Sequence, residues 1–202
     1  MEIFGLIAGL VVVFGFGTLV FYGVFSEIHI TEKMIEPLWL AYQPIRGDYK
    51  QSGKVMDRVY ADLKSKHALE TTRGFGLYYD DPKTTPKEKL RSIAGCILEK
   101  RHEARLEDVK NAFHVAQFPA SHSVVAEFPF YGKLSVLLGI FSVYPRLKKY
   151  LNAHNYPQTP IMEVYDVPQR KIRYIASVRL DPKIFDDLAM FAGESPTPNI
   201  ST

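Results

Sequence analysis

Apolar and polar positions alternate along most of this chain, and the longest interruption comes first. From Ile3 to Phe25 there are 23 consecutive residues without a charge, bracketed by Glu2 and Glu27. A helix of that length covers roughly 34 Å, against a hydrocarbon core of about 30 Å. The stretch therefore predicts a single transmembrane anchor over 1–26, with a juxtamembrane linker over 27–33. A removed signal peptide is the competing reading. The Met-Glu start and the lack of an Ala-x-Ala site after Phe25 argue against it. Gly5 and Gly9 form a G-x-x-x-G pair, the pattern of a membrane dimer face.

Beyond the anchor the pattern shifts between a period of two and a period of 3.6. Ile35 to Gln43 reads as a strand with an edge or bulge at Pro37. Ser52 to Leu69 reads as a helix striped by Val55, Val59 and Leu63. Gly74 to Tyr79 and Leu90 to Leu98 read as strands. A connector follows, with a short helix near Leu106 to Ala112 and a strand from Phe113 to Phe118. Ser123 to Phe128 is then a strand, and Gly132 to Asn152 a helix that Pro145 should kink or divide. Ile161 to Tyr165 and Ile172 to Leu180 close as a hairpin, and Lys183 to Phe191 is a last turn of helix.

The order repeats, and so do the residues. Pro44-Ile-Arg-Gly47 recurs as Pro129-Phe-Tyr-Gly132, and Val59-Tyr-Ala-Asp-Leu-Lys64 as Val143-Tyr-Pro-Arg-Leu-Lys148. Tyr79-Asp-Asp-Pro82 recurs as Tyr165-Asp-Val-Pro168, and Lys89-Leu-Arg-Ser-Ile-Ala94 as Lys171-Ile-Arg-Tyr-Ile-Ala176. The offsets are 85, 84, 86 and 82. Four matches in one order at one spacing indicate a duplication. Two β-α-β-β modules, about 34–98 and 122–180 with a connector at 99–121, bury their helix stripes by covering an antiparallel sheet. The fold class is α+β, with a groove between the halves as the natural ligand site. The domain spans 34–182, and 183–202 is a short tail.

Composition narrows the functions. A net charge of +3 with interleaved signs offers no basic stripe for a duplex, so no direct nucleic-acid binding is expected. The lone Cys96 forms no internal disulfide, which fits a reducing compartment. Lys33, Arg46, Lys50 and Lys54 follow the span while none precedes it, placing the domain on the cytosolic side. The sequon at Asn199 would be idle there. The six histidines lack metal-ligand spacing, His122 between two serines lacks a nucleophile-elbow context, and no phosphate-binding or dinucleotide loop is present. No metal or cofactor is expected.

One carboxylate stands out. In the strand Ile161 to Tyr165, Glu163 shares a face with Ile161 and Tyr165, while Met162 and Val164 point into a core under the helix. The Tyr-Asp-x-Pro turns align it with Leu77 of the first half. A mid-strand carboxylate among apolar neighbours is costly unless paired or facing a wet groove. Glu163 is thus either a groove-lining anion or base, or a solvent-facing residue paired with Arg173 or Arg179. Tyr79 and Tyr165 complete the candidate groove.

Pro160-Ile-Met-Glu163-Val-Tyr165, followed by an apolar strand, resembles the end of a gyrase-inhibitor-like (GyrI-like) small-molecule-binding domain. That resemblance implies two such modules and a glutamate in the ligand cleft, which acts in hydrolysis in certain bacterial members. Arg73-Gly-Phe-Gly-Leu-Tyr-Tyr-Asp-Asp-Pro82, Phe118-Pro-Ala-Ser-His-Ser-Val-Val125, Phe128-Pro-Phe-Tyr131 and Val143-Tyr-Pro145 resemble the testis-expressed ER-phagy receptor family. Its members anchor a GyrI-like domain at the cytosolic face of the endoplasmic reticulum. They bind Atg8-type autophagy modifiers through a motif in a long acidic tail, and some recruit an AAA+ segregase. The chain departs from them in lacking that tail within its 202 residues. The candidate modifier motif here is Phe185-Asp186-Asp187-Leu188, which would bind by adding a strand to a sheet edge. The function these features imply is a receptor or adaptor in ER-phagy. A small-molecule sensor, or a hydrolase using Glu163 catalytically, is the alternative.

Overall fold

The computed structural model of the chain describes residues 2–22 and 27–189. The end of the expected span at Phe25, the tail beyond 189 and its sequon at Asn199 lie outside the described residues.

The first helix, α1, runs Glu2–Phe21. The backbone turns at Tyr22, whose N–H still reaches Thr18 O. The expectation of a transmembrane helix is corrected here. Among the described residues no helix is long and apolar enough to cross a membrane. Without the charged Glu2, the described helical part of the expected run is Ile3 to Phe21, about 28 Å, and so lacks the excess over the hydrocarbon thickness that the full run predicted. Gly5 and Gly9 lie one turn apart in it, and open space surrounds the position of a Cβ on Gly9.

Eight strands make one antiparallel sheet: β1 (Ile30–Ile35), β2 (Leu38–Arg46), β3 (Arg73–Tyr78), β4 (Arg91–Leu98), β5 (His114–Phe118), β6 (Ser121–Pro129), β7 (Ile161–Asp166) and β8 (Lys171–Ser177). Their order is β1-β6-β8-β7-β3-β4-β2-β5. Each half contributes a block, β2-β4-β3 and β6-β8-β7, and the blocks join where β3 pairs β7. The leading strands are exchanged: β1 precedes β2 in the chain but pairs β6, and β5 precedes β6 but pairs β2. Pro37 causes the first half of this exchange. It has no N–H to give a ladder, so the single strand expected over Ile35 to Gln43 breaks there into β1 and β2. β1 also begins inside the stretch expected to be a linker.

Two long helices cover one face, α2 (Ser52–His67) and α4 (Lys133–Ala153). Val59 and Leu63 of α2 pack with Ala41, Cys96 and Leu98. Val143, Leu147 and Leu151 of α4 pack with Val124, Ala126, Phe128 and Tyr174. Full burial of each such aliphatic side chain stabilises by about 1.5–3 kcal/mol. α2 ends where Ala68 turns left-handed at φ 50°. Lys64 and Lys66 place positive charge at the helix's negative end. Pro145 does not divide α4, which runs unbroken for 21 residues. The proline removes one intrahelical bond, to Phe141 O, and Phe141 is exposed, so water can take that bond.

The opposite face carries a separate core of Leu40, Phe75, Leu77, Ile93, Met162, Val164 and Ile175, closed by Phe185 and Leu188. These last two belong to α5 (Pro182–Leu188), which the Asp181 side chain caps by accepting from Lys183 N. Met162 and Val164 therefore lie in the core away from the long helices. The expectation that they point under a helix is corrected: it is Glu163 that shares the helix-covered face. A short helix, α3 (Leu106–Lys110), bridges β4 and β5.

Candidate functional site

β3 makes the room for a site. Its sequence Arg-Gly-Phe-Gly-Leu-Tyr alternates so that Phe75 and Leu77 face the α5 core, leaving Gly74, Gly76 and Tyr78 on the helix side. With two glycines on that face, β3 itself raises no side chain from Gly74 or Gly76 at the centre of the sheet between α2 and α4. A groove of 1680 Å³ results. Its walls include Met56 and Tyr60 of α2 and Ile140, Phe141 and Tyr144 of α4, with Glu163 and Tyr165 of β7 on the floor. A smaller recess of 460 Å³ beside Gln43 and Phe113 holds no carboxylate.

Gly76 sits directly across from Glu163 in the β3–β7 ladder. The space above it is taken by the Tyr78 ring: a Cβ on Gly76 would lie 2.6 Å from the Tyr78 hydroxyl. Leu77, which the Tyr79–Tyr165 alignment sets equivalent to Glu163, lies with Phe75 in the α5-side core, on the opposite face from Glu163. That alignment therefore matches residues of opposite faces, as a slip of one residue in a strand does. Tyr79 donates its hydroxyl to Phe185 O at 3.0 Å, on the α5 side. Tyr78 is the tyrosine that reading missed. The signal was the Gly-x-Gly-x-Tyr alternation before it.

Glu163 is 2% exposed. Its Oε1 accepts from Tyr144 Oη at 2.6 Å and its Oε2 from Tyr165 Oη. Tyr78 and Tyr174 stand close enough for the carboxylate's charge to act on their hydroxyls. Burial pushes the Glu163 carboxyl above its ordinary 4.5, and the two tyrosyl hydrogen bonds oppose that rise. The same burial, with the facing carboxylate, pushes the phenols of Tyr144 and Tyr165 well above their usual 10, so they stay donors. Neither arginine weighed as a partner reaches Glu163: Arg173 binds Asp166 at 2.8 Å, and Arg179 lies by Tyr156. Around the carboxylate, Tyr49 meets Tyr78 edge-on at 4.8 Å, Tyr144 meets Tyr174 at 5.6 Å, and Phe130 tilts against Tyr165 at 5.7 Å. The site is a buried carboxyl group held by neutral hydroxyls inside a ring of aromatic faces.

A match over residues 29–177 to the model of the GyrI-like small molecule binding domain decides the family. The chain belongs to the GyrI-like family. Among curated relatives, this GyrI-like chain is 30% identical to mouse testis-expressed protein 264 homolog over 147 residues, 70% of the chain and 45% of that protein. It is 29% identical to human testis-expressed protein 264 over 176 residues, 82% of the chain and 54% of that protein. The chain thus spans about half the length of these relatives. Among solved structures, the fold is shared with the EcmrR–DNA complex (TM-score 0.52, 12% identity, 87% of this chain and 68% of that one). It is also shared with SAV2435 bound to tetraphenylphosphonium (TM-score 0.50, 10% identity, 75% of this chain and 94% of that one).

The other residues singled out from sequence lie elsewhere. Phe185 and Leu188 are 3% and 5% exposed and helical, packed in the α5 core, while Asp186 and Asp187 face outward. His122 donates from Nε2 to a carboxylate oxygen of Glu32 at 3.0 Å. Cys96 is buried, and burial pushes its thiol up to about 11. Among the described residues no three His, Cys, Asp or Glu side chains converge on a metal position.

Proposed function

We propose that this GyrI-like domain binds lipophilic organic cations whose charge is spread over an apolar body. One observation carries the reading: Glu163 is buried with hydroxyl partners and, among the described residues, no cationic side chain. An unpaired buried carboxylate is costly, and a ligand cation stacked on the surrounding rings would offset that cost through Coulomb attraction and cation–π contact. The fold shared with a protein solved with tetraphenylphosphonium supports this choice of probe. Both carboxylate oxygens are taken by tyrosyl hydroxyls, which suits holding a charge better than abstracting a proton, so binding is favoured over hydrolysis. The test is calorimetric titration with tetraphenylphosphonium. Glu163→Gln is expected to weaken it ten- to hundredfold, since hydrogen bonds and contacts to a charged group are worth about 1.5–3 kcal/mol. Unchanged affinity overturns the reading.

The likeness to testis-expressed protein 264 favours a second reading: a receptor or adaptor in ER-phagy at the cytosolic face of the endoplasmic reticulum. It would engage an Atg8-type modifier through Phe185 to Leu188 and could recruit an AAA+ segregase. Asp186→Lys with Asp187→Lys leaves the buried pair untouched, and should abolish capture of a purified modifier. Retained capture removes the motif.

A further inference from the structure

The α4 wall of the groove is charged in one sense. Its 21 residues include Lys133, Arg146, Lys148 and Lys149 and no Asp or Glu. Four of its groove-lining residues, Val136, Ile140, Tyr144 and Lys148, are spaced by four, so they form one row along the helix. The row has a direction. Two aliphatic side chains come first, then the tyrosine whose hydroxyl is 2.6 Å from Glu163, then a lysine four residues on, about 6 Å along the axis. Lys148 is exposed and makes no ion pair among the described residues. Beyond it, Gln158 donates to Asn152, one turn past Lys148. Next to Gln158, the Thr159 hydroxyl lines the groove buried and without a partner. At the other end Phe141, 71% exposed, and Leu137, 51% exposed, widen the apolar surface.

An apolar track, a buried negative point and an unpaired positive point thus follow one another along a single helix. We infer that the groove selects zwitterionic amphiphiles of the alkyl-betaine type: a hydrocarbon body on the Ile140 side, a quaternary ammonium at Glu163, and an acidic group at Lys148. This rests on the cation-binding reading and adds to it the anionic group and the order of the three parts. A plain alkylammonium satisfies Glu163 and the apolar row but leaves Lys148 and Thr159 unused. A ligand with its acid between cation and chain would have to run its chain past Lys148, away from the apolar row.

The experiment compares two probes below their micelle-forming concentrations by calorimetry on the full chain: dodecyltrimethylammonium and N-dodecyl-N,N-dimethylglycine. The betaine is expected to bind at least tenfold more tightly to the wild type. Lys148→Gln, an exposed change, should erase that advantage by weakening the betaine alone, while the trimethylammonium probe, relieved of a like charge one turn away, should bind no more weakly than before. Glu163→Gln should weaken both probes. Equal affinities on the wild type, or equal losses for both probes in Lys148→Gln, overturn the inference while the cation site stands. Binding of neither probe, or binding indifferent to Glu163→Gln, overturns the cation site and the inference together.

Discussion

A carboxyl group in the middle of a strand earns its position by what surrounds it, and at Glu163 the surroundings favour the protonated form. Because burial holds its folded pKa above the ordinary 4.5, the native state binds more protons than the unfolded chain from that value upward. Stability must therefore fall as pH rises through the window from 4.5 to the raised folded pKa. Glu163→Gln keeps the size and a partner for the tyrosyl hydroxyls and removes the titration. The variant is expected to show a flatter melting temperature against pH across that window, read by thermal unfolding at a series of pH values. An unchanged slope would mean that the site titrates no differently from an unfolded glutamate. A cationic ligand reverses the preference, holds Glu163 ionised, and so should bind more weakly as the pH is lowered.

Single strands decide whether there is a site at all. The duplication was legible because helix stripes and turns repeat at a nearly constant offset, and such patterns survive small errors of alignment. The site was only half legible. Glu163 and Tyr165 announced themselves as polar atoms in an apolar strand, but their partners did not: Tyr144 sits in a helix whose stripe looks apolar, and Tyr78 was displaced by a one-residue slip at Tyr79. The exchange of β1 and β5 depends on one proline and on contacts far apart in the chain, which no local period records. Gly76 shows how much a strand position without a side chain contributes. A methyl group there would strike the Tyr78 hydroxyl at 2.6 Å, and a tyrosine tip yields more readily than backbone. Gly76→Ala should thus fall at the low end of the about 1–3 kcal/mol that overpacking costs yet swing Tyr78 away from the carboxylate. Loss of tetraphenylphosphonium affinity with only a small fall in the denaturation midpoint is the expected result. A large loss of stability instead would show that Tyr78 is held too firmly to move.

At the scale of the whole molecule, the sheet separates two functions of one fold. The helix face keeps a groove open with glycines and hydroxyls, while the opposite face is filled with apolar side chains and closed by α5. The segment Phe185 to Leu188 belongs to that closure: its aromatic and aliphatic residues complete the core, and Tyr79 grips Phe185 O from β3's end. Any partner that reads this segment as an extended strand must first pull it out, so its affinity is reduced by the cost of opening. Phe185→Ala and Leu188→Ala each empty a site more than nine-tenths buried, and changes of that kind cost about 2–5 kcal/mol. The double variant is expected to melt well below the wild type. Partial loss of the α5 contacts should also raise the rate of amide exchange at Phe185 to Leu188 while β7 and β8 stay protected. If the double variant kept the wild-type melting temperature, α5 would contribute nothing to the closure, and the segment would be as free to bind as an unstructured tail. If instead the stability falls while an added Atg8-type modifier restores no protection, the segment serves the fold alone.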